Sequence, residues 1–158
     1  MHGRDRVRRA LVAAGIISCL VLATAAPQPA HAGPLRSKLL RIIDRVREDH
    51  GLRAVRLNLR LSEDAKRHTR KMIRRGELFD PPNLRQLVEP YGWDDVAGAV
   101  VGCDGTLRAL VRSWLASDPH RDILLHPKLR RAGIGVIRVE GRSACGRDRV
   151  WATAIVHG

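Results

Sequence analysis

Ser117, Asp118 and His120 lie within four residues of one another, and serine, aspartate and histidine are the three groups of nucleophilic acyl transfer. A triad, however, converges from separate segments. Ser117 and Asp118 read more simply as the end of one helix and the N-cap of the next, with Pro119 at its first helical position. His120, Asp122 and His126 could begin a metal site, yet Pro127 adjoins His126 and no fourth ligand is evident, where zinc takes three or four N, S or O side chains. His68 falls on the inner side of a helix, the setting of a packed, hydrogen-bonded histidine rather than an acid or base.

The remaining chemistry is cationic. Lys66, Arg67, Arg70, Lys71, Arg74 and Arg75 follow one another with no acid between them. Two readings stand: a solvated helix face, or a surface for an anion in which Arg67, Arg70, Lys71 and Arg74 are the binding residues. No phosphate-binding glycine loop or dinucleotide fingerprint is present, and no cofactor is implied.

These groups need elements to hold them. Leu39, Ile42, Ile43 and Val46 recur at helical spacing over 35–48, with Arg41, Arg45 and Arg47 outward and Gly51 as the stop. A second helix is expected over 62–75, with Ser62 as N-cap, Glu63 and Asp64 in its first turn, Ala65, Thr69, Met72 and Ile73 inward, and Gly76 after its end. Asp80-Pro81-Pro82-Asn83 interrupts helical structure, and a short helix over 84–88 follows. Val96 to Val101 reads as a buried strand. Leu107, Leu110, Val111, Trp114 and Leu115 form one apolar stripe opposite Arg108 and Arg112, making Trp114 a core residue and not a ligand platform. Residues 133–139 and 149–156 read as an antiparallel hairpin. Helices come early and strands late, which argues for an α+β fold against a βαβ sheet.

Length and composition set the frame. The chain has 158 residues, 29 Lys+Arg, 16 Asp+Glu and a formal charge of +13, which makes one domain the default. Residues 1–32 read as a signal peptide: a basic start, the apolar run Ala10 to Ala26, then Pro27, Pro29 and Ala30-His31-Ala32, with cleavage before Gly33. The rival is a retained membrane anchor, because the apolar run is at the lower edge of what spans a bilayer. The domain over 33–158 keeps 25 basic and 15 acidic residues, a charge of +10, which favours an anionic wall polymer, acidic lipid or nucleic acid. Only 3% of the chain is aromatic and no nucleic-acid motif accompanies the charge, so no specific nucleic acid is expected. Contact with a membrane is expected only through the leader or through surface charge, and a monomer is expected. Cys103 and Cys145 remain after export to an oxidising compartment; they read as one disulfide or, failing that, as two buried thiols.

Three stretches together resemble the CAP superfamily of cysteine-rich secretory, antigen 5 and pathogenesis-related proteins, specifically its bacterial secreted branch. IIDRVREDHGLRAVRLNLRLSEDAKRHTRKMIRRGELF, over 42–79, is similar to the family's opening helix, Gly-Leu linker and Leu-x-x-x-Ala-x-x-His second helix. Gly92-Trp93 to Gly102 stands at the place of its Gly-Glu-Asn strand, and WLASDPHRDILLHPKLRRAGIGV, over 114–136, resembles its Trp-x-x-Ser-x-x-His-Arg-x-x-Leu block and Gly-x-Gly strand. The resemblance implies an α-β-α sandwich with a small central antiparallel sheet flanked by helices. It also implies a cleft in which many members place two histidines and two acids that can hold a divalent metal. Here His120 matches one histidine, Asp80 replaces the other, Gly98 stands at the glutamate and Ser117 near the remaining acid.

Asp80 and His120 alone make a poor metal site, so no metal is expected. A carboxylate–imidazole pair between them, or His120 satisfied by backbone, are the two readings of that histidine. The expected function is a secreted, non-catalytic binding module at the cell envelope or outside the cell, with 62–75 facing an anionic wall polymer or lipid. The alternative is a hydrolase working from a cleft with His120, Asp80 and Ser117.

Overall fold

The computed structural model describes residues 32–92 and 95–158. The expected leader lies outside the described residues except for Ala32, and so does Trp93. The first helix, α1, spans Ala32–Asp49 and turns Leu39, Ile43 and Arg47 inward at a four-residue spacing. Arg47 was expected on the outer face and is fully buried. The i, i+4, i+8 ridge that begins with two aliphatic residues simply continues onto it. Gly51, at φ +70°, then ends the helix in the left-handed conformation glycine adopts without strain.

A two-residue strand, β1 (Arg56–Leu57), leads into α2 (Leu59–Arg75). The helix starts before Ser62 because Asn58 caps it, its Oδ1 accepting from Leu61 N at 3.1 Å. Ser62 is therefore an interior residue and not the N-cap. Its buried hydroxyl donates to Asn58 O at 2.6 Å and accepts from Ile134 N at 3.0 Å, tying helix to sheet. Gly76, at φ +67°, closes the helix as expected.

After α3 (Leu84–Val88) and one 3-10 turn (Glu89–Tyr91) come β2 (Ala97–Asp104), α4 (Leu107–Ala116), α5 (Asp118–Leu124), β3 (Arg131–Ser143) and β4 (Gly146–His157). The sheet order is β1-β3-β4-β2. All neighbours are antiparallel except β1, which pairs parallel with β3 and was not anticipated, since two residues carry no periodic signal. The fold is otherwise the expected α+β sandwich.

Alternation along the strands divides the core between two helical layers. Val100, Ala132, Ile134, Val136, Val150, Ala152, Ala154 and Val156 meet α1 and α4, where Trp114 is buried with its Nε1 donating to Val101 O at 2.8 Å. On the other face Ala99 and Ile155 meet Leu61 and Ala65 of α2 and Val88 of α3. Here Gly133 and Gly135 explain their own spacing: a Cβ on either would collide with the backbone of α2 at Leu61 or at Ala65 and Lys66. Cys103 and Cys145 form a disulfide between β2 and the hairpin turn, 42 residues apart in sequence. Closing a loop of that size restricts the unfolded chain by an amount equivalent to about 4 kcal/mol.

Candidate functional site

Among the four positions that the resemblance assigns to a cleft, no hydrogen bond or ion pair joins one to another. His120 is half-buried on α5, and Ser117, also half-buried, is the residue that both ends α4 and caps α5. Ser117 makes no side-chain cap bond, while its carbonyl accepts from Arg121 N at 2.8 Å. Asp118, expected as the cap, is instead the first helical residue and pairs with Arg121 at 2.8 Å, so it does not orient His120. Asp80 is exposed in the segment between α2 and α3, and no ion pair or hydrogen bond joins it to His120.

Gly98 decides the rest. It is buried on β2, and a Cβ built there would stand 2.5 Å from Cγ2 of Ile123 on α5. Ile123 thus occupies the space that any side chain at 98 would need. The depression beside them, about 200 Å³, is lined mainly by Val96, Ala97, Ile123 and Leu129, with Asp122 and His126 at its edge. His126 Nδ1 accepts from Lys128 N at 3.3 Å. Among the described residues no three His, Cys, Asp or Glu side chains approach closely enough to share an ion. The donor set that a divalent metal would need does not fit at this position, because glycine offers no ligand and an aliphatic side chain stands over it.

The cations of α2 are set differently from one another. Arg67 pairs with Asp64, which also accepts from Tyr91 OH at 3.0 Å. Arg75 lies over the Phe79 ring, 4.9 Å from its centroid. Phe79 in turn meets His68 edge-on, and the Phe79 carbonyl lies 2.7 Å from His68 Nε2, the packed setting expected for that histidine. Arg70, Lys71 and Arg74 are exposed and make no ion pair among the described residues.

A feature the sequence reading missed lies between α1 and α4. Ile42, Val46, Val111 and Leu115, all read as inward-facing, floor an open groove of about 440 Å³. Lys38, Arg41, Arg45, Arg108 and Arg112 rim it, with Asp49 as the one acid. Each helix separately shows an apolar stripe with cations beside it. That the two stripes meet imperfectly, leaving a seam open, is a property of their packing.

The chain matches the family model for the cysteine-rich secretory protein family, CAP, over residues 40–155. No curated protein matches it. Among solved structures it is similar to an extracellular protein containing an SCP domain from Bacillus anthracis, at TM-score 0.61 and 16% identity over 80% of this chain and 41% of that one. It is also similar to an outer surface protein of Borrelia burgdorferi, at TM-score 0.60 and 16% identity over 81% of this chain and 98% of that one. A cysteine-rich secretory protein from Staphylococcus aureus aligns at TM-score 0.59 and 18% identity over 82% of this chain and 40% of that one. The chain thus spans about two fifths of the first and third of these proteins.

Proposed function

The chain belongs to the CAP family of cysteine-rich secretory proteins, and from that premise we propose that it is an exported, non-catalytic module that binds an anionic polymer at or outside the cell envelope. The observation that carries this reading is the row Arg70, Lys71 and Arg74, exposed along α2 and engaged by no carboxylate among the described residues. Arg70 and Lys71 on one turn and Arg74 on the next present a line of charge to a polyanion, and the association weakens as salt screens it. Ile123 standing over Gly98 supports binding over catalysis, since the strand position that the resemblance assigns to an acid carries no carboxylate and has no room for one. The bacterial extracellular and outer surface proteins that share the fold support export.

The test is retention on an immobilised anionic polymer across a salt gradient. The variant Arg67→Glu/Arg70→Glu/Arg74→Glu is expected to elute at much lower salt than wild type. Equal elution of the two overturns the assignment to α2.

The groove between α1 and α4 favours a second reading, an anionic amphiphile whose chain lies on Ile42, Val46, Val111 and Leu115 while its head meets the rim cations. Displacement of a fluorescent fatty acid by oleate measures it. Leu115→Trp, at a partly exposed position of the seam, is expected to abolish binding that the α2 variant retains; binding unaffected by Leu115→Trp removes the groove.

A further inference from the structure

Arg56 and Arg131 are directly paired in the parallel β1–β3 ladder, and paired residues project to the same face of a sheet. Like charges set directly opposite each other in a sheet are destabilising. The backbone nonetheless fixes them together: Arg56 N donates to Arg130 O at 2.8 Å, and Arg130 N to His157 O at 2.9 Å. Arg53 and Arg130 complete the group, and these four arginines with Ala54 line a concavity of about 330 Å³ that has no acid in its wall. None of the four takes part in an ion pair among the described residues. Arg130 reaches only carbonyl oxygens, those of Pro127 at 3.0 Å and Leu129 at 2.9 Å. A further cation, Arg47, is held from behind by the Arg53 carbonyl. The hairpin tip also sets Arg142 opposite Arg147, but there Glu140 and Asp148 stand beside them in the chain.

Converging cations of this kind raise the local potential at a cost that a bound anion removes. The planar guanidinium fork matches two oxygens of one phosphate, so several forks around one concavity suit neighbouring phosphates better than a lone carboxylate. We propose that Arg53, Arg56, Arg130 and Arg131 form a binding site for paired phosphate groups, distinct from the cations of α2 and from the groove between α1 and α4.

The experiment is calorimetric titration of the protein with inorganic pyrophosphate at an ionic strength held constant with sodium chloride. Wild type, Arg56→Gln/Arg131→Gln and, on α2, Arg70→Gln/Arg74→Gln are compared. Wild type is expected to give a saturable one-site isotherm, and the first variant to bind at least about tenfold more weakly, as loss of a charge-assisted hydrogen bond implies. The α2 variant should stay within about twofold of wild type, the effect of charges acting only through the screened field. Without ligand, Arg56→Gln/Arg131→Gln should melt at the wild-type temperature or above it, because a repulsive pair has been removed; a scaffold role would lower the melt. No saturable heat, an equal loss in both variants, or a lower melt for the first variant overturns the site. Vesicles of phosphatidylglycerol against phosphatidylcholine identify the phosphate source. Retention on the anionic vesicles that is lost in Arg56→Gln/Arg131→Gln supports a membrane phosphate, and a response to pyrophosphate alone supports a soluble one.

Discussion

Gly98 and Ile123 divide one small volume between them, and Ile123 takes the space that a side chain at 98 would need. Adding a methyl group at 98 forces Ile123 or β2 to move, and overpacking of this kind typically costs about 1–3 kcal/mol. Gly98→Ala is therefore expected to lower the unfolding midpoint in urea, while Gly98→Ala/Ile123→Ala recovers part of the loss relative to Ile123→Ala alone. A double-mutant cycle without coupling would mean that the two residues do not share the space. Asp44 gives a second test at this scale. Burial holds its carboxyl above the usual range, opposed by the Val55 N–H that it accepts at 2.9 Å; Glu48 pushes it further up and Arg47 pulls it down. A carboxyl whose folded pKa is raised contributes stability that is fully present below its ordinary value near 3.8 and is lost as pH rises through the folded one. Asp44→Asn keeps an oxygen for Val55 and cannot ionise. The melting temperature of wild type should therefore fall relative to Asp44→Asn as pH is raised from below 4 toward neutrality. The opposite trend would assign the hydrogen bond, not burial, the larger influence.

At the scale of elements, Arg47 joins three segments. Its Nε donates to Arg53 O at 2.9 Å, and its Nη1 to Leu124 O at 2.6 Å and His126 O at 3.2 Å. One side chain thus fastens α1 to the strand-leading loop and to the end of α5. Burial keeps this guanidinium below its ordinary pKa, with Asp44 raising it and Arg130 lowering it further. Arg47→Met leaves those carbonyls without a donor and is expected to cost about 3 kcal/mol by denaturant unfolding, the scale of stranded buried polar groups. Arg47→Lys should recover only part, because an ammonium lacks the planar fork that serves separate acceptors. The element boundaries tell a similar story. Gly51 and Gly76 were legible as stops because a positive φ admits few other residues. The start of α2 was misassigned to Ser62, since Asn58 and Ser62 both suit an N-cap and only contact with Ile134 draws Ser62 inside.

For the whole molecule the dominant physical quantity is charge. Of the formal +13, +10 belongs to residues 33–158, whose cations are spread over α1, α2, α4 and the β1–β3 edge, and among the described residues few of them meet carboxylates. Self-repulsion of that size opposes compaction and is relieved by screening. The melting temperature is accordingly expected to rise between low salt and about 0.5 M sodium chloride, where the Debye length has shrunk to a few ångströms. A melt independent of salt would mean that the cations are too dispersed to repel, and would weaken any site built on their convergence.

The helices α1, α2 and α4, the hairpin and the α+β class were determined by the sequence alone, because each rests on local periodicity, turn chemistry or element order, and the cysteine count favoured the disulfide that the structure shows. The cationic row of α2 was legible for the same reason. Tertiary packing alone decided that Ile123 closes over Gly98, that Arg47 turns inward, that α1 and α4 leave a groove, and that Arg53, Arg56, Arg130 and Arg131 meet. These are contacts between residues far apart in the chain or set by a two-residue strand. Their existence depends on how finished elements fit against one another, and no local pattern encodes that fit.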